Sequence, residues 1–478
     1  MSDQINDYLN RKSSGQKVKK TYRSFIQLED GRLAEQIVNP DPAFAVYDPI
    51  TETFAIQPTI QIGKKYIYPL EGDLVTKGVI RFPQKPEDYI DTEVLRQEIK
   101  EFIHCYLDIH PFYEELASYY ALLTWLFDKN TAITYLGIFG DFGSGKTRAA
   151  QTIGSVCYKP SFVSGALTCA PIYRLLEQAR GTLIINEFDF QHSDLGSELI
   201  KILNNGFEKN LHVLRVKSET GEVEAFDAFS PKIFAYRKKK NDQAFESRLI
   251  TIPIEETTRE DIPTVLPPSF EQEAMTLRNK LLLFRFRNYH KEIEVDQSIF
   301  TGLERRLRQT LYPLLTVIDD KKFLQKLTGF THELQEQQRT DRGLSWIAEY
   351  LHALVELTCK ESAITVQDLT DTYNKGKPEQ ISARKTGYVI RNEFKLKNKR
   401  ITAGQKKGQY AIQVDPAKIR ALCLRFGVEI PEQSSLHSPS SPQPQPQSEG
   451  SEHGELLSDV EKEGERRGLW SFTPSPGE

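Results

Sequence analysis

The eight residues 140–147, GDFGSGKT, constrain the fold of this chain more than any other stretch because they fit the pattern G-x-x-x-x-G-K-[ST]. An apolar, β-branched run at 133–139 precedes them, and a helix-compatible run at 147–156 follows them. In such a strand–loop–helix setting, glycines let backbone N–H groups turn inward around an anion at the positive end of a helix. The motif therefore predicts a phosphate-binding loop. The competing interpretation is a glycine-rich turn that binds nothing.

Two side chains of this loop have distinct expected tasks. Lys146 supplies a positive charge for the β and γ phosphates, and the hydroxyl of Thr147 is a ligand for Mg²⁺. The expected cofactors are therefore ATP and Mg²⁺. The residues expected to bind the nucleotide through this loop are Gly140, Asp141, Phe142, Gly143, Ser144, Gly145, Lys146 and Thr147.

A second strand is expected at GTLIINEFDF, 181–190, about forty residues downstream. A phosphate-loop ATPase needs a residue that orients the metal and a base that aligns water, and this stretch is the candidate for both. Glu187 is the expected general base. Asn186 takes the metal position through a water, although Mg²⁺ prefers carboxylate oxygens, and Asp189 is a candidate to compensate. The alternative is a core strand without a catalytic role.

Further basic residues follow in the sequence SPKIFAYR and AFESRLITI. The first contains a predicted buried strand, 232–236, whose polar end at Tyr236 and Arg237 is placed to sense the γ phosphate. Arg248 precedes a β-branched strand and is expected to act on the phosphate of a neighbouring subunit. A surface ion pair is the alternative for Arg248, since arginines form such pairs readily.

Between these strands, residues 211–217 and 222–229 flank a Ser-Glu-Thr-Gly turn and predict a β-hairpin. A hairpin at this place would project towards a central pore, where Arg215 and Lys217 would meet nucleic acid. The alternative is an ordinary surface hairpin.

Charge is distributed unevenly along the chain. The net charge is −4, but residues 431–478 contain nine acidic and three basic residues, whereas 375–407 contain eleven basic and two acidic residues. A basic cluster of that density is a candidate nucleic-acid surface, with a solvated helix face as the alternative. The five cysteines lack metal-site spacing and are expected to be free thiols. We expect a cytoplasmic protein without a membrane partner, because neither a signal sequence nor a membrane-length apolar run occurs.

The carboxy-terminal part predicts three helices followed by two short strands around a Gly-Gln-Lys-Lys-Gly loop, the order of a winged helix-turn-helix domain. Its contacts with DNA would be mainly to phosphates, so binding should weaken with salt. A protein-docking winged helix is the alternative. The residues expected to contact DNA here are Arg384, Lys385, Arg391, Lys406 and Lys407.

The predicted fold class is multidomain α/β. Apolar strands alternate with helices between 132 and 256, which favours a largely parallel sheet. The predicted regions are a basic amino terminus at 1–20, a β-rich region at 21–90, an ATPase core with preceding helices at 91–260, a helical lid at 261–340, the winged helix at 341–430 and an acidic tail at 431–478.

The segments GDFGSGKT, GTLIINEFDF, LNNGFEKN, SPKIFAYR and AFESRLITI together resemble the AAA+ ATPases, and more narrowly the replicative helicase and primase-associated ATPases of phages, plasmids and other mobile elements. The resemblance implies a ring, often hexameric, in which Arg248 is an arginine finger acting in trans. It also implies that Arg305 or Arg308 in the lid touches nucleotide. Two features depart from the family: Asn186 replaces an Asp, and Tyr236-Arg237 ends a strand where a small polar residue is usual.

These features lead to one expected function and two rivals. The expected function is an ATP-driven, ring-forming DNA motor, a helicase-like replication ATPase of a mobile element, with DNA, copies of itself and replication proteins as partners. The first rival is a nucleotide-gated DNA-binding initiator or loader that does not unwind. The second is an inactive scaffold in which Asn186 abolishes turnover.

Overall fold

A computed structural model describes residues 20–164, 169–188, 194–216, 221–237, 242–343, 346–360, 363–377, 380–402 and 406–429. The chain divides into two compact units, with the boundary between Asp341 and Arg342. Each unit has its own hydrophobic core. Across the described ranges, every helix is too short or too polar to cross a bilayer.

The amino-terminal region is built from short strands. They are β1 (Thr21–Tyr22), β2 (Phe25–Gln27), β3 (Leu33–Val38), β4 (Pro42–Asp48), β5 (Thr53–Gln57), β6 (Ile60–Ile62) and β7 (Lys65–Tyr68). Strands β2 to β5 form an antiparallel sheet in sequence order, and β1, β7 and β6 form a second sheet. A single helical turn, α1 (Asp73–Thr76), follows. The alternating apolar residues of this region thus form strands, as their period of two predicts.

Two helices then lead into the α/β region, α2 (Thr92–Tyr106) and α3 (Pro111–Trp125). The carboxylate of Asp91 accepts a hydrogen bond from the Val94 N–H at 2.8 Å and so caps α2. Pro111 begins α3, where a missing N–H costs nothing. α3 is buried along most of its length, and its apolar residues belong to the same hydrophobic core as the central sheet.

The α/β region contains β8 (Tyr135–Phe139), α4 (Lys146–Ser155), β9 (Ser161–Val163), α5 (Cys169–Ala179), β10 (Leu183–Ile185), α6 (Asp194–Asn205), β11 (His212–Val216), β12 (Val223–Asp227), β13 (Lys232–Tyr236), α7 (Gln243–Glu246) and β14 (Leu249–Pro253). Five strands form a parallel sheet in the order β14-β8-β13-β10-β9. The predicted mixed α/β fold with a parallel sheet is confirmed. The predicted hairpin is also confirmed, since β11 and β12 pair antiparallel.

Three helices complete the first unit: α8 (Ser269–Asn288), α9 (Arg305–Leu315) and α10 (Lys321–Gly343). The helical lid at 261–340 stays a prediction; in the structure α8 packs on α2 and α3, and α9 packs on α3, within the same core. The reason is that α8 carries apolar residues on all sides, with Leu281 and Leu282 fully buried. A helix of that kind must be covered all round.

A buried ion network joins the amino-terminal sheet to this core. Glu35 of β3 accepts hydrogen bonds from the Arg285 Nε at 2.6 Å and from the Tyr158 hydroxyl at 2.7 Å, and its carboxylate lies 2.8 Å from the Lys159 Nζ. Arg285 also bonds Asp128. Glu35, Lys159 and Arg285 are all at most 1% exposed. Burial lowers the pKa of Lys159 to about 8 although Glu35 favours its charged form.

The second unit contains α11 (Trp346–Lys360), α12 (Val366–Asn374), α13 (Ala383–Asn392), β15 (Lys397–Arg400), β16 (Tyr410–Gln413) and α14 (Pro416–Phe426). β15 and β16 pair antiparallel, and Thr365 forms an isolated bridge with Ala411. The Thr365 hydroxyl and the Asp368 carboxylate form a capping box at the start of α12. The predicted helices and hairpin are present. Their assignment as a winged helix stays a prediction.

Candidate functional site

The predicted phosphate loop lies between the end of β8 at Phe139 and the start of α4 at Lys146. Gly143 and Gly145 have φ values of 80° and 93°, which residues with a Cβ rarely adopt. A Cβ on Gly140 would overlap the carbonyl oxygen of Ile254. Each glycine is therefore required by the local backbone, which supports a formed loop rather than a loose turn.

Contacts within the loop converge on one carbonyl. The Ser144 hydroxyl donates to the Asp141 carbonyl at 2.9 Å, and the Lys146 Nζ donates to the same oxygen. The ammonium of Lys146 therefore lies at the mouth of the loop. Phe142, at the tip, is 90% exposed.

Thr147 and Asn186 lie together at the carboxyl edge of the sheet. The Thr147 Oγ1 is 3.2 Å from the Asn186 Oδ1 and 3.1 Å from the Asn186 Nδ2. β10 is separated from β8 by β13, so only the end of the sheet brings these two side chains into contact. Ligands of open parallel sheets bind at such carboxyl edges.

Glu187 occupies an extra residue at the end of β10. Leu183 donates to the Pro231 carbonyl at 3.0 Å, and the regular step of two would then pair the Glu187 N–H with Ala235. Instead the N–H of Phe188 donates to Ala235 at 2.8 Å, which makes Glu187 a bulge. Its φ is 58°, in the left-handed region, and its side chain is exposed.

The neighbours of Glu187 hold this conformation in place. The Asn186 N–H donates to Val163 at 3.0 Å on one side. On the other side the ring of Phe188 is buried against Phe234 and Phe245, with ring centroids 4.9 Å and 5.4 Å apart. Strained backbone that its surroundings enforce is typical of functional positions. Asp189 lies outside the described residues.

The end of β13 differs in part from the expectation. The Tyr236 hydroxyl lies 3.1 Å from the Thr251 Oγ1 of β14, and the side chain is buried. Burial raises the pKa of Tyr236, so the phenol stays neutral. Tyr236 therefore faces the interior of the sheet rather than a phosphate. Arg237, the next residue, is exposed at the carboxyl edge.

Arg248 lies at the opposite edge of the sheet from the phosphate loop. It immediately precedes β14, and its carbonyl accepts from the N–H of Tyr135 at the start of β8. Its guanidinium packs 5.2 Å from the ring centroid of Phe207, donates to the Ala244 carbonyl and is only 8% exposed. Burial, and then the charge of Arg306, lower the pKa of Arg248. Arg248 is thus remote from the nucleotide loop of its own chain.

The α9 arginines share that amino edge. Thr310 of α9 donates to the Ser247 carbonyl at 2.9 Å and accepts from the Thr134 hydroxyl at 2.6 Å, and both partners precede strands. Arg305 and Arg308 therefore do not lie beside the phosphate loop of their own chain. The resemblance implied that one of them touches nucleotide. The third arginine of this helix, Arg306, is exposed, lies 5.8 Å from the Phe207 ring and pairs with Glu208 at 3.5 Å.

Arg215 of the hairpin is exposed, but its charge is paired within the chain. Its guanidinium pairs with Glu198 of α6, donates to the Tyr173 hydroxyl and lies 4.8 Å from the Tyr173 ring. The charge of Arg215 is thus paired at the surface with Glu198, and its contact with nucleic acid stays a prediction. Lys217 lies outside the described residues.

Sequence reasoning also missed Arg148, which follows Thr147 on α4. Its Nη1 donates to the Pro263 carbonyl at 2.9 Å, and its Nη2 donates to the Thr264 carbonyl at 2.8 Å. The segment after β14 is therefore tied to the phosphate-loop helix. The only signal in the sequence was the position next to the motif.

The predicted DNA-contacting residues of the second unit fall into two groups. Arg384 and Arg391 lie on the exposed side of α13, facing a groove of about 930 Å³ between α12, α13 and the β15–β16 hairpin. Lys385 lies 5.8 Å from the Trp346 ring, and Lys407 is exposed. Lys406 is paired with Asp368 at 2.8 Å, so its charge is compensated.

The described side chains in contact with each other at this edge, Thr147 and Asn186, are neutral. Thr147 and Asn186 fit a hydrated cation through hydroxyl and amide oxygens, but they bring no charge. In the described part of the chain, His, Cys, Asp and Glu form no cluster of three that could hold a metal. A cation here would therefore depend on nucleotide phosphates for charge compensation.

Neither a protein-family model nor a curated protein matches this chain. Among solved structures, the C-terminal region of NrS-1 is 13% identical with a TM-score of 0.36, covering 77% of this chain and 84% of that chain. Cch of SCCmec type IV, described as an active helicase, is 10% identical with a TM-score of 0.41, covering 89% and 84%. A full-length MCM homologue from Methanopyrus kandleri is 11% identical with a TM-score of 0.35, covering 62% and 68%. Similarity this distant carries no argument about the function of this chain.

Proposed function

We propose that this chain is an ATP-driven DNA motor, a helicase-like replication ATPase of a mobile element that works as a ring of identical copies, six in the closed form. The observation that carries the ATPase assignment is the contact of Thr147 with Asn186 at 3.1–3.2 Å. It joins the phosphate loop to the strand end that presents Glu187.

Each residue of this edge has a task in hydrolysis. The loop N–H groups and Lys146 bind the β and γ phosphates, and Thr147 and Asn186 would hold Mg²⁺. Bound Mg²⁺ would neutralise phosphate charge. The exposed carboxylate of Glu187 aligns the attacking water and accepts its proton.

The positions of the arginines support a ring. Arg248 and the α9 arginines lie at the amino edge of the sheet, one strand length from the loop, which is roughly 16 Å for five residues. An arginine there stabilises phosphate charge only on a neighbouring copy. We therefore assign ATP turnover to the interface between copies, with the uncompensated basic surface of the second unit as the site of DNA binding.

ATPase assays with and without single- and double-stranded DNA, together with strand displacement, test this function. We expect DNA to raise turnover, Lys146→Ala to abolish ATP binding, and Glu187→Gln to leave ATP bound while lowering turnover at least about 100-fold. Lys201→Ala alters an exposed residue of α6 and should change neither. Normal ATP binding by Lys146→Ala would overturn the assignment of the loop.

One observation favours a second candidate, a nucleotide-gated DNA-binding initiator or loader. Asn186 brings no charge to the metal, which suits a site that binds ATP tightly and turns it over slowly. Tight ATP binding with negligible turnover that Asn186→Asp does not alter, together with ATP-dependent DNA binding, would select this candidate over the motor.

A further inference from the structure

The groove between α12, α13 and the β15–β16 hairpin is strongly basic. Four cationic side chains line it: Arg384, Arg391, Lys395 and Lys397. Asp and Glu do not occur among its lining residues, and Tyr410 stands at its rim. We call this feature the basic groove.

The charges of the basic groove are not compensated within the described parts of the second unit. Arg384, Lys395 and Lys397 are exposed and form no ion pair there. Other lysines of the same unit behave differently, since Lys377 pairs with Glu349, and Lys360 pairs with Glu356. The basic groove therefore favours an extended anionic ligand.

The same chain contains a strongly acidic segment near its carboxy terminus. Residues 449–465 include seven acidic residues and one basic residue, Lys462. The acidic residues are Glu449, Glu452, Glu455, Asp459, Glu461, Glu463 and Glu465. They follow a stretch, 430–448, that is rich in Ser, Pro and Gln and contains one acidic residue, Glu432.

We propose that this acidic segment, 449–465, binds the basic groove of its own chain and competes there with nucleic acid. The tether allows it, because the 19 residues 430–448 reach at most about 65 Å. A unit of this size has a radius of gyration of only about 12 Å. A tether of such length holds its ligand at an effective concentration of about 1 mM.

The consequence for DNA rests on the proposed function, but the contact itself does not. If the free segment binds with a Kd of about 100 µM, tethering at about 1 mM lowers the affinity of the basic groove for DNA about tenfold. Because both ligands bind through charge, raising the salt concentration should weaken both and shrink the difference.

The contact is tested with a fluorescein-labelled synthetic peptide of residues 449–465. The receptor is the full chain in which the seven acidic residues of 449–465 are replaced by Gln or Asn, so that this segment does not compete with the peptide. We expect saturable binding that the double substitution Arg384→Gln/Lys397→Gln weakens at least tenfold. Lys399→Gln/Arg400→Gln removes two exposed charges of β15 that do not line the basic groove, and it should change the Kd less than twofold. Absent peptide binding, or equal losses in both variants, overturns the proposal.

The effect on DNA is measured separately, by anisotropy of labelled single- and double-stranded oligonucleotides at low and moderate salt. The neutralised chain should bind DNA about tenfold more tightly than the unmodified chain at low salt, for the tethering reason given above. Peptide binding without any DNA binding would overturn the proposed function and leave the contact standing. DNA binding of equal strength in both chains would overturn the competition.

Discussion

The side chains of Thr147 and Asn186 meet across the carboxyl edge of the sheet, with the Thr147 Oγ1 3.2 Å from Oδ1 and 3.1 Å from Nδ2 of the amide. The hydroxyl therefore has two available directions: it donates to Oδ1 or accepts from Nδ2. A carboxylate at position 186 would only accept, which would leave the lone pairs of Thr147 directed at a cation. The amide makes this pair a weaker metal site than an acid would.

Asn186→Asp should therefore strengthen the use of Mg²⁺. We expect the Mg²⁺ concentration for half-maximal ATPase activity to fall about tenfold, which corresponds to about 1.4 kcal/mol. Asn186→Ala should raise that concentration instead. Activity titrated against Mg²⁺ at fixed ATP checks this, and identical curves for all three proteins would show that position 186 is not at the metal.

The left-handed backbone conformation of Glu187 should lower the stability of the protein, whereas its carboxylate serves catalysis. Its φ of 58° costs about 1 kcal/mol for any residue with a Cβ. Glu187→Gly and Glu187→Ala both remove the carboxylate, so both should lose turnover. Glu187→Gly should nevertheless unfold at a temperature about 2 °C higher than Glu187→Ala, because only glycine adopts this backbone freely. Thermal unfolding followed by fluorescence measures the difference. A glycine variant less stable than the alanine variant would contradict a left-handed backbone conformation at residue 187.

Replacing Arg248 and Arg306 by alanine should have different effects on stability. Arg248 is buried over Phe207 and bonds Ala244, so Arg248→Ala should cost stability as well as turnover. Arg306 is exposed at the same ring, so Arg306→Ala should lower turnover at least tenfold with an unchanged unfolding temperature.

Mixing shows whether Arg306 acts on a neighbour. A 1:1 mixture of Arg306→Ala with Lys146→Ala protein contains interfaces that are intact on both sides, so its ATPase activity should exceed that of either protein alone. Activity no greater than the mean of the two would place the function of Arg306 within its own chain.

Glu35 should be a determinant of stability although it is far from the nucleotide edge. Glu35→Gln leaves Lys159 and Arg285 buried with less compensation, which should cost about 3–5 kcal/mol. Glu29→Gln changes an exposed acid just before β3 and should cost less than about 0.5 kcal/mol. Denaturant unfolding measures both, and equal values would mean that the network adds nothing.

The sequence predicted features that are local in the chain. The strand–loop–helix around 140–147 and the β11–β12 hairpin depend on glycines and on strand periodicity within a few residues, and both are present. The bulge at Glu187 was not predictable, because it depends on how Phe188 and Ala235 pair in three dimensions.

The roles of charged side chains were the least predictable, because they depend on partners that are distant in sequence. Arg215 and Lys406 were expected at a nucleic-acid surface, and each pairs with a carboxylate on a helix, Arg215 from a strand and Lys406 from a loop. Arg278 and Arg285 of α8 are both fully buried. Lys395 and Lys397 line the basic groove, but they fall between the helix and the loop to which the pattern assigned DNA contacts.

Lys232 is buried at the start of β13, and none of the described carboxylates forms an ion pair with it. Its ammonium donates to the carbonyls of Ser230 at 2.8 Å and Ala228 at 2.9 Å, and it lies 4.8 Å from the Tyr135 ring. Burial lowers the pKa of Lys232 from 10.5 to about 7. Between these two pH values the unfolded chain binds more protons at this residue than the folded chain does.

The stability of the first unit should therefore rise with pH above 7 through Lys232, by about 1.4 kcal/mol per pH unit until the unfolded pKa is approached. Lys232→Met removes this dependence, so the unfolding temperature of the unmodified protein minus that of Lys232→Met should increase from pH 7 to pH 9. The contribution of Lys159, whose pKa is lowered to about 8, is present in both proteins and cancels in the difference. Lys201→Met, at an exposed position of α6, should give a difference that does not change with pH. Parallel curves for Lys232→Met would mean that Lys232 keeps its ordinary pKa in the folded protein.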